Sequence, residues 1–149
     1  MTDQFGVYLI AVRGGKLLAL RREEDDDPLF KGVLDYPGGR IEPGETPEAA
    51  AVREGVEETG LEFGEIEYLR EWSHAWDDGR VFHVKTFVGW EPAGDVRLSD
   101  EHSAFAWVTP EEMLAEQYPE QMKSEIFRSW LDGLRGDTRL VQARVAEHY

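Results

Sequence analysis

Three glutamates, Glu54, Glu57 and Glu58, stand three and four positions apart in a chain that has no cysteine. At about 100° per residue an α-helix places such positions on one face, and Ala49, Val52 and Val56 fall on the opposite one. A helix over this stretch is expected to seat its apolar flank on a sheet and turn the carboxylates outward. Like charges at this spacing repel and cost the helix stability unless a cation compensates them. Hard oxygen donors suit Mg²⁺ or Mn²⁺, and Mg²⁺ in particular is held by a few carboxylates while water and substrate phosphates complete its octahedron. A phosphate-bearing substrate follows from that preference. Glutamates alone are equally what a solvated helix face carries, so the neighbours decide the reading. Glu45 and Arg53 have the charges to pair across the start of the helix, and Gly38 and Gly39 permit a close backbone approach.

The elements that must hold these residues can be read from local signals. Thr46 is placed to cap the helix, Pro47 suits its first turn, Glu48 favours the positive end of the dipole, and Gly60 supplies the stop. The helix is then about fifteen residues long. Ahead of it, residues 33–36 read as a short strand running into Pro37-Gly38-Gly39, and residues 40–45 as a loop. Residues 5–12 and 16–22 form a hairpin around Arg13-Gly14-Gly15, and residues 66–76 and 80–90 a second around Asp77-Asp78-Gly79. Residues 105–108 are a further strand. Residues 110–117 and 119–134 read as helices, the second carrying Met122, Ile126, Trp130 and Leu134 on a core-facing side. Residues 23–28 are an acidic exposed loop without the alternation of a calcium loop, and residues 137–149 fit strand or helix. The irregular alternation of strands and helices predicts an α/β sandwich with a mixed sheet.

The spacing around the glutamates has a recognisable form: Gly39, five residues, Glu45, seven residues, Arg53-Glu54, two residues, Glu57-Glu58, one residue, Gly60 and Leu61. This stretch resembles the Nudix box, with one departure, Gly55 in place of an aliphatic residue. Glycine there predicts a smaller helix–sheet contact and about 1 kcal/mol less helix propensity than alanine. Residues 34–39 resemble the strand and turn that precede the box, and Glu101-His102-Ser103 with Ala106-Trp107-Val108 resembles a late segment of the family. The resemblance implies a Nudix-like α/β/α sandwich and hydrolysis of a diphosphate bond, with Mg²⁺ as cofactor and Mn²⁺ able to substitute. It further implies that Glu54, Glu57 and Glu58 bind metal, that the Gly39 carbonyl adds a ligand, and that Arg53 orients carboxylates by pairing with Glu45. The base that activates water is a helix carboxylate or one from a later loop, with Glu101 the loop candidate and Asp100 beside it as a contact to the substrate's base. As two solvated acids at a turn, Asp100 and Glu101 have an equally ordinary reading.

Among family substrates, the markers of several branches are missing. Position 76 is Trp where ADP-ribose hydrolases tend to have Pro, and Asp77-Asp78-Gly79 lacks the Tyr associated with dinucleoside polyphosphates. No coenzyme A signature precedes the box, and the isoprenoid isomerase branch needs a cysteine. What remains resembles the nucleoside triphosphate pyrophosphatases, including enzymes that remove oxidised or noncanonical nucleotides. The alternatives are a noncatalytic regulatory domain that binds a nucleotide, or a hydrolase of nucleotide sugars or ADP-ribose. Trp72, Trp76 and Trp90 offer either a stacking surface for a base, with Trp76 the substrate-binding candidate, or core packing. The histidines at 74, 83, 102 and 148 show no metal-ligand spacing.

A length of 149 residues predicts one domain spanning the chain. The net charge of −15, from 31 acidic and 16 basic residues, would repel a nucleic-acid backbone, so the expected partner is a small nucleotide and not polymeric nucleic acid. A bias of Arg over Lys accompanies that charge, as in salt-adapted proteins or GC-rich coding. No apolar run approaches the roughly 18 residues of a membrane span, no basic-then-apolar segment opens the chain, and a cytoplasmic protein is expected. A homodimer is compatible with the sequence.

Overall fold

In the computed structural model, which describes residues 2–22, 34–75 and 77–115, the sheet is built around strand β1 (Thr2–Arg13). Alternation along β1 sends Ile10 and Val12 to one face and Val7, Leu9 and Ala11 to the other, and all five are buried. A strand covered on both faces reads as a continuous apolar run, as residues 7–12 do. Val7, Leu9, Ile10 and Val12 each contribute about 1.5–3 kcal/mol by leaving water. Strand β6 (Arg80–Trp90) runs parallel to β1, and β5 (Ile66–Ala75) closes that side antiparallel to β6.

The other side of β1 is where the fold opens. Gly14 and Gly15 take positive φ, 58° and 78°, and turn the chain into β2 (Lys16–Arg22). β1 and β2 pair only through Val12–Leu17 and Arg13–Lys16 and then diverge. Leu20 and Arg21 of β2 pair with β3 (Leu34–Asp35) and also with β7 (His102–Val108), so these two strands must lie on opposite edges of β2. Because β7 occupies the edge away from β1, β3 lies in the gap. β4 (Gly38–Arg40) completes the wedge by pairing with residues 6–8 of β1, and Leu9 donates its N–H to the Pro37 carbonyl at 2.8 Å. Residues 34–40 therefore cross from β2 to β1 inside the sheet.

Helix α1 (Pro47–Thr59) covers one face, where Ala50 and Ala51 pack on Val7, Leu9 and Phe87. Met113 of α2 (Pro110–Ala115) joins Ile10, Tyr36, Trp72, Val84 and Val88 on the other. A mixed sheet between helices is the expected α/β/α sandwich. α1 has 13 residues. Thr46 Oγ1 accepts from Ala49 N–H at 3.1 Å, and Gly60, at φ 71°, donates to the Val56 carbonyl to end the helix.

Three local expectations are corrected. Gly38–Arg40 is a strand where a loop was expected from residue 40, because β1 offers an unpaired edge once β2 has diverged. β7 begins at His102, three residues ahead of the expected start. The buried flank of α1 is Ala50, Ala51 and Gly55, whereas Ala49 is exposed and Val56 is 45% exposed. The reason is Gly55, whose added Cβ would stand 2.7 Å from Leu9 Cδ2 and 3.0 Å from Phe63 Cε2. Bare backbone makes the close contact there, and this rotation carries Glu58 toward the sheet. The expectations for residues 23–28, 119–134 and 137–149 lie outside the described residues. Among the described residues no helix is long and apolar enough to cross a membrane.

Candidate active site

Arg53 gathers acids from the loop before α1 and from the second half of the helix. Its Nε and Nη2 donate to the two Glu45 carboxylate oxygens at 2.7 and 3.0 Å, Nη1 to Glu54 at 2.9 Å and Glu57 at 3.4 Å, and Nη2 also to the Arg40 carbonyl at 3.1 Å. The fork toward Glu45 is bidentate, the geometry in which arginine binds carboxylates best. Arg53 hydrogen bonding is the main cause that holds the Glu45 carboxyl below its ordinary value. The same contacts hold the guanidinium proton more tightly.

Glu58 has a different environment. It is 5% exposed, and its Oε2 accepts the Gly38 N–H at 2.7 Å. Burial is the main reason its pKa is pushed up to about 9, and the negative charges of Glu54, Glu101 and Asp35 add to it against the Gly38 hydrogen bond. Glu54 is raised too, first by burial and then by Glu57 and Glu101, although Arg53 opposes this. The glycines make room for these acids. A Cβ on Gly39 would lie 2.6 Å from the Glu54 carboxylate, and one on Gly6 would lie 3.0 Å from the Gly39 carbonyl oxygen. Gly39 thus lets the Glu54 carboxylate approach the strand, and Gly6 leaves room beside the Gly39 carbonyl oxygen. An all-oxygen set with more negative charge than its own protein contacts neutralise fits a hard divalent cation.

β7 brings further groups to this point through its pairing with β2. One carboxylate oxygen each of Glu58 and Glu101 and a ring nitrogen of His102 lie within 4.8 Å of one another. They line a cavity of about 1040 Å³ that also takes in Gly38, Gly39, Glu54 and Asp100. Aromatic and apolar side chains, Tyr8, Tyr36, Phe82 and Val84, line the same cavity. Tyr8 is fixed by stacking on Trp72 at 6.4 Å and meeting Tyr36 edge-on at 6.1 Å. Asp35 lines the cavity too, and its Oδ2 accepts the Tyr8 hydroxyl at 3.3 Å.

Of the expected site residues, Glu45, Arg53, Glu54 and Glu57 are joined in one hydrogen-bonded network, while Gly39, Glu54, Glu58, Asp100 and Glu101 line the cavity. Outward display of all three glutamates is corrected: Glu57 is 58% exposed, but Glu54 is 16% and Glu58 is buried. Trp72 is core, Trp90 packs against the same core, and Trp76 lies outside the described residues. Sequence reading passed over Tyr8, Asp35, Tyr36, Phe82 and His102. Only His102, next to Glu101, carried a local signal.

A family model described as the NUDIX domain matches residues 2–129. The chain is 36% identical over 114 residues to the CTP pyrophosphohydrolase of Escherichia coli, covering 76% of this chain and 79% of that protein. It is 33% identical over 116 residues to a putative 8-oxo-dGTP diphosphatase of Mycobacterium tuberculosis, covering 76% and 78%. The solution structure of the Escherichia coli ORF135 protein superposes with a TM-score of 0.75 at 27% identity, over 91% of this chain and 93% of that one. Geometry, family model and relatives agree that the chain belongs to the Nudix family, hydrolases that act on phosphorus-containing anhydrides.

Proposed function

We propose that the chain is a nucleoside triphosphate pyrophosphatase that clears noncanonical or damaged nucleotides, converting a (deoxy)nucleoside triphosphate to the monophosphate and pyrophosphate. The observation that carries this reading is one cavity that has both a carboxylate wall, at Gly39, Glu54, Glu58 and Glu101, and aromatic rings, at Tyr8 and Phe82. A diphosphate suits the first and a base suits the second. The names of the relatives, a CTP pyrophosphohydrolase and 8-oxo-dGTP diphosphatases, support the same class.

Glu54, Glu57, Glu58 and the Gly39 carbonyl would hold Mg²⁺, or Mn²⁺ in its place. When bound, the cation neutralises charge on the phosphoryl oxygens and helps hold water in line for displacement. Arg53, clamped on Glu45, fixes the Glu54 and Glu57 carboxylates. Glu101 receives a proton from the attacking water as the new phosphorus–oxygen bond forms and the pyrophosphate oxygen departs. Asp100, at the rim, contacts the base. Trp76 remains the substrate-binding candidate from residues 66–80. We further propose that the chain works as one domain in the cytoplasm, without polymeric nucleic acid or membrane, and that any self-association is a homodimer.

The deciding experiment measures nucleoside monophosphate and pyrophosphate across nucleoside triphosphates, nucleotide sugars, ADP-ribose and dinucleoside polyphosphates. Triphosphates should be cleaved fastest in Mg²⁺ and not at all after exhaustive chelation. Persistence of turnover without metal, or a preference for ADP-ribose, would overturn the reading.

A further inference from the structure

The sheet ends in two outer edges, β5 and β7, and they are protected differently. β5 is the last strand on its side, and it carries Glu67, Arg70 and Glu71 together with a bulge between Tyr68 and Arg70. Charges and bulges of this kind keep one sheet edge from pairing with another. β7 pairs with β2 along one edge, and among the described residues no strand covers its other edge. Over most of its length β7 has neither safeguard. The register shift in its pairing falls at Ser103, and residues 103–110 include no charged side chain in a chain that is 32% charged. Ser103, Ala104, Phe105 and Ala106 are all exposed, Phe105 at 44%. An outer row of backbone N–H and C=O groups is therefore flanked by small or apolar side chains on both faces of the strand.

We propose that this edge is the seam of a twofold homodimer, in which β7 pairs antiparallel with β7 of a second copy about an axis at Phe105, the middle of the strand. Residues directly opposite in an antiparallel pair lie on the same face, so this register sets Phe105 against Phe105, Ala104 against Ala106 and Ser103 against Trp107. A twofold seam must be complementary to itself, and here no pair along the strand brings like charges together. An axis at Ala106 would set Glu101 against Glu111, and one at Ala104 would set Trp107 against Glu101. Charge also selects the occupant. A basic partner would be drawn to the acidic surface of a chain with net charge −15, whereas a second copy, equally acidic, is repelled everywhere except along an uncharged strip. β7 has seven residues. A ladder of that length spans roughly 24 Å at about 3.4 Å per residue. The contact therefore falls below the ~1,600 Å² of a standard interface, and the dimer should be weak, with a dissociation constant on the order of micromolar. This supplies the seam of the homodimer named above and is independent of the nucleotide-hydrolase reading.

The test is sedimentation velocity on the full chain. The coefficient should rise toward the dimer value as the protein is concentrated from about 1 µM to about 500 µM. Raising NaCl from about 0.05 M to about 0.5 M should tighten the dimer, because screening removes the repulsion between acidic copies and leaves the uncharged seam intact. Phe105→Glu sets two carboxylates together at the axis and should raise the dissociation constant by roughly tenfold or more. Phe105 does not line the cavity and is half-exposed, so the melting temperature of the dilute variant should stay near that of wild type. The chain has no cysteine of its own, and opposed Cα atoms in an antiparallel pair stand within reach of a disulfide. Mild oxidation should therefore cross-link Phe105→Cys into a covalent dimer and leave Glu71→Cys, on the protected edge, monomeric. A chain that stays monomeric at every concentration, a dimer that loosens with salt, undiminished association of folded Phe105→Glu, or preferential cross-linking of Glu71→Cys would each overturn the seam. The wild-type measurements need no variant to fold. A monomer that hydrolyses nucleotides would lose only the seam, whereas a dimer that hydrolyses none would lose only the pyrophosphatase.

Discussion

Glu45 and Glu58 belong to one short motif, yet they are stabilised in opposite ways. Glu45 receives a two-pronged hydrogen bond from Arg53 and is held ionised. Glu58 lies against the sheet with a single N–H from Gly38, and burial holds its proton on up to about pH 9. The loop end of the motif is neutralised by the chain itself and can be rigid at all times. The buried end is left short of positive charge, and in the proposed function a cation from solution completes it. Positioning and chemistry are thereby divided between the two ends, with Glu54 between them: it touches Arg53 on one side and the Gly39 backbone on the other.

If that division is right, Glu54→Gln should have the largest effect of any change at the junction. It keeps the shape and a hydrogen bond to Arg53 but removes a charged donor from the metal wall. Turnover in saturating Mg²⁺ should fall by at least about 10²-fold, since electrostatic stabilisation by a metal supplies several kcal/mol. Melting should change little. Near-normal turnover would take Glu54 out of the metal wall, and a collapsed melting curve would make it part of the structural end with Glu45.

A smaller effect should separate the two ends by pH. The unfolded chain releases the Glu58 proton near its ordinary value of 4.5, whereas the metal-free native state keeps it up to about 9. Between those values the native state binds more protons, so stability of the metal-free protein should fall as pH rises through the window. The melting temperature should drop by several degrees from pH 5 to pH 8.5, at about 3 °C per kcal/mol for a chain of this size. Glu58→Gln should flatten that slope, and Mg²⁺ should reverse the loss at high pH by binding the folded state. A metal-free slope of the opposite sign would mean that Glu58 is neutralised from within, as Glu45 is.

The two ends also differ in how far they could be read before the fold was known. Thr46, Pro47 and Gly60 mark a helix by local chemistry, and the charges of Arg53 and Glu45 name each other across eight positions. Burial of Glu58 could not be read that way. It depends on how α1 is rotated on the sheet, which is decided by Gly55, a residue with no side chain to register in an apolar pattern. Asp35 was hidden too, and His102 was marked only by standing next to Glu101, because both reach the cavity through the pairing of β3 and β7 with opposite edges of β2. Helix spacing reports one element at a time, whereas these contacts are made by the register between strands far apart in sequence.

Gly55→Ala tests that rotation and should have the smallest effect. In an isolated helix alanine would gain about 1 kcal/mol over glycine. Here the added methyl meets Leu9 Cδ2 and Phe63 Cε2 at 2.7 and 3.0 Å, and overpacking of this kind costs about 1–3 kcal/mol. The first offsets part of the second, and the net should be a loss of up to about 2 kcal/mol, seen as a melting temperature a few degrees lower. Leu9 is fully buried and has little room to turn away, so the helix itself must lift by a few tenths of an ångström. Lifting weakens the Glu58–Gly38 hydrogen bond and largely spares the Glu45–Arg53 clamp, since Glu45 lies in the loop that leads into the helix and can move with it. A modest rise in the Mg²⁺ concentration needed for half-maximal turnover should therefore accompany the lower melting point. A Gly55→Ala protein that melts higher than wild type, with its Mg²⁺ requirement unchanged, would show that the close contact at Gly55 is not what seats Glu58 in the site.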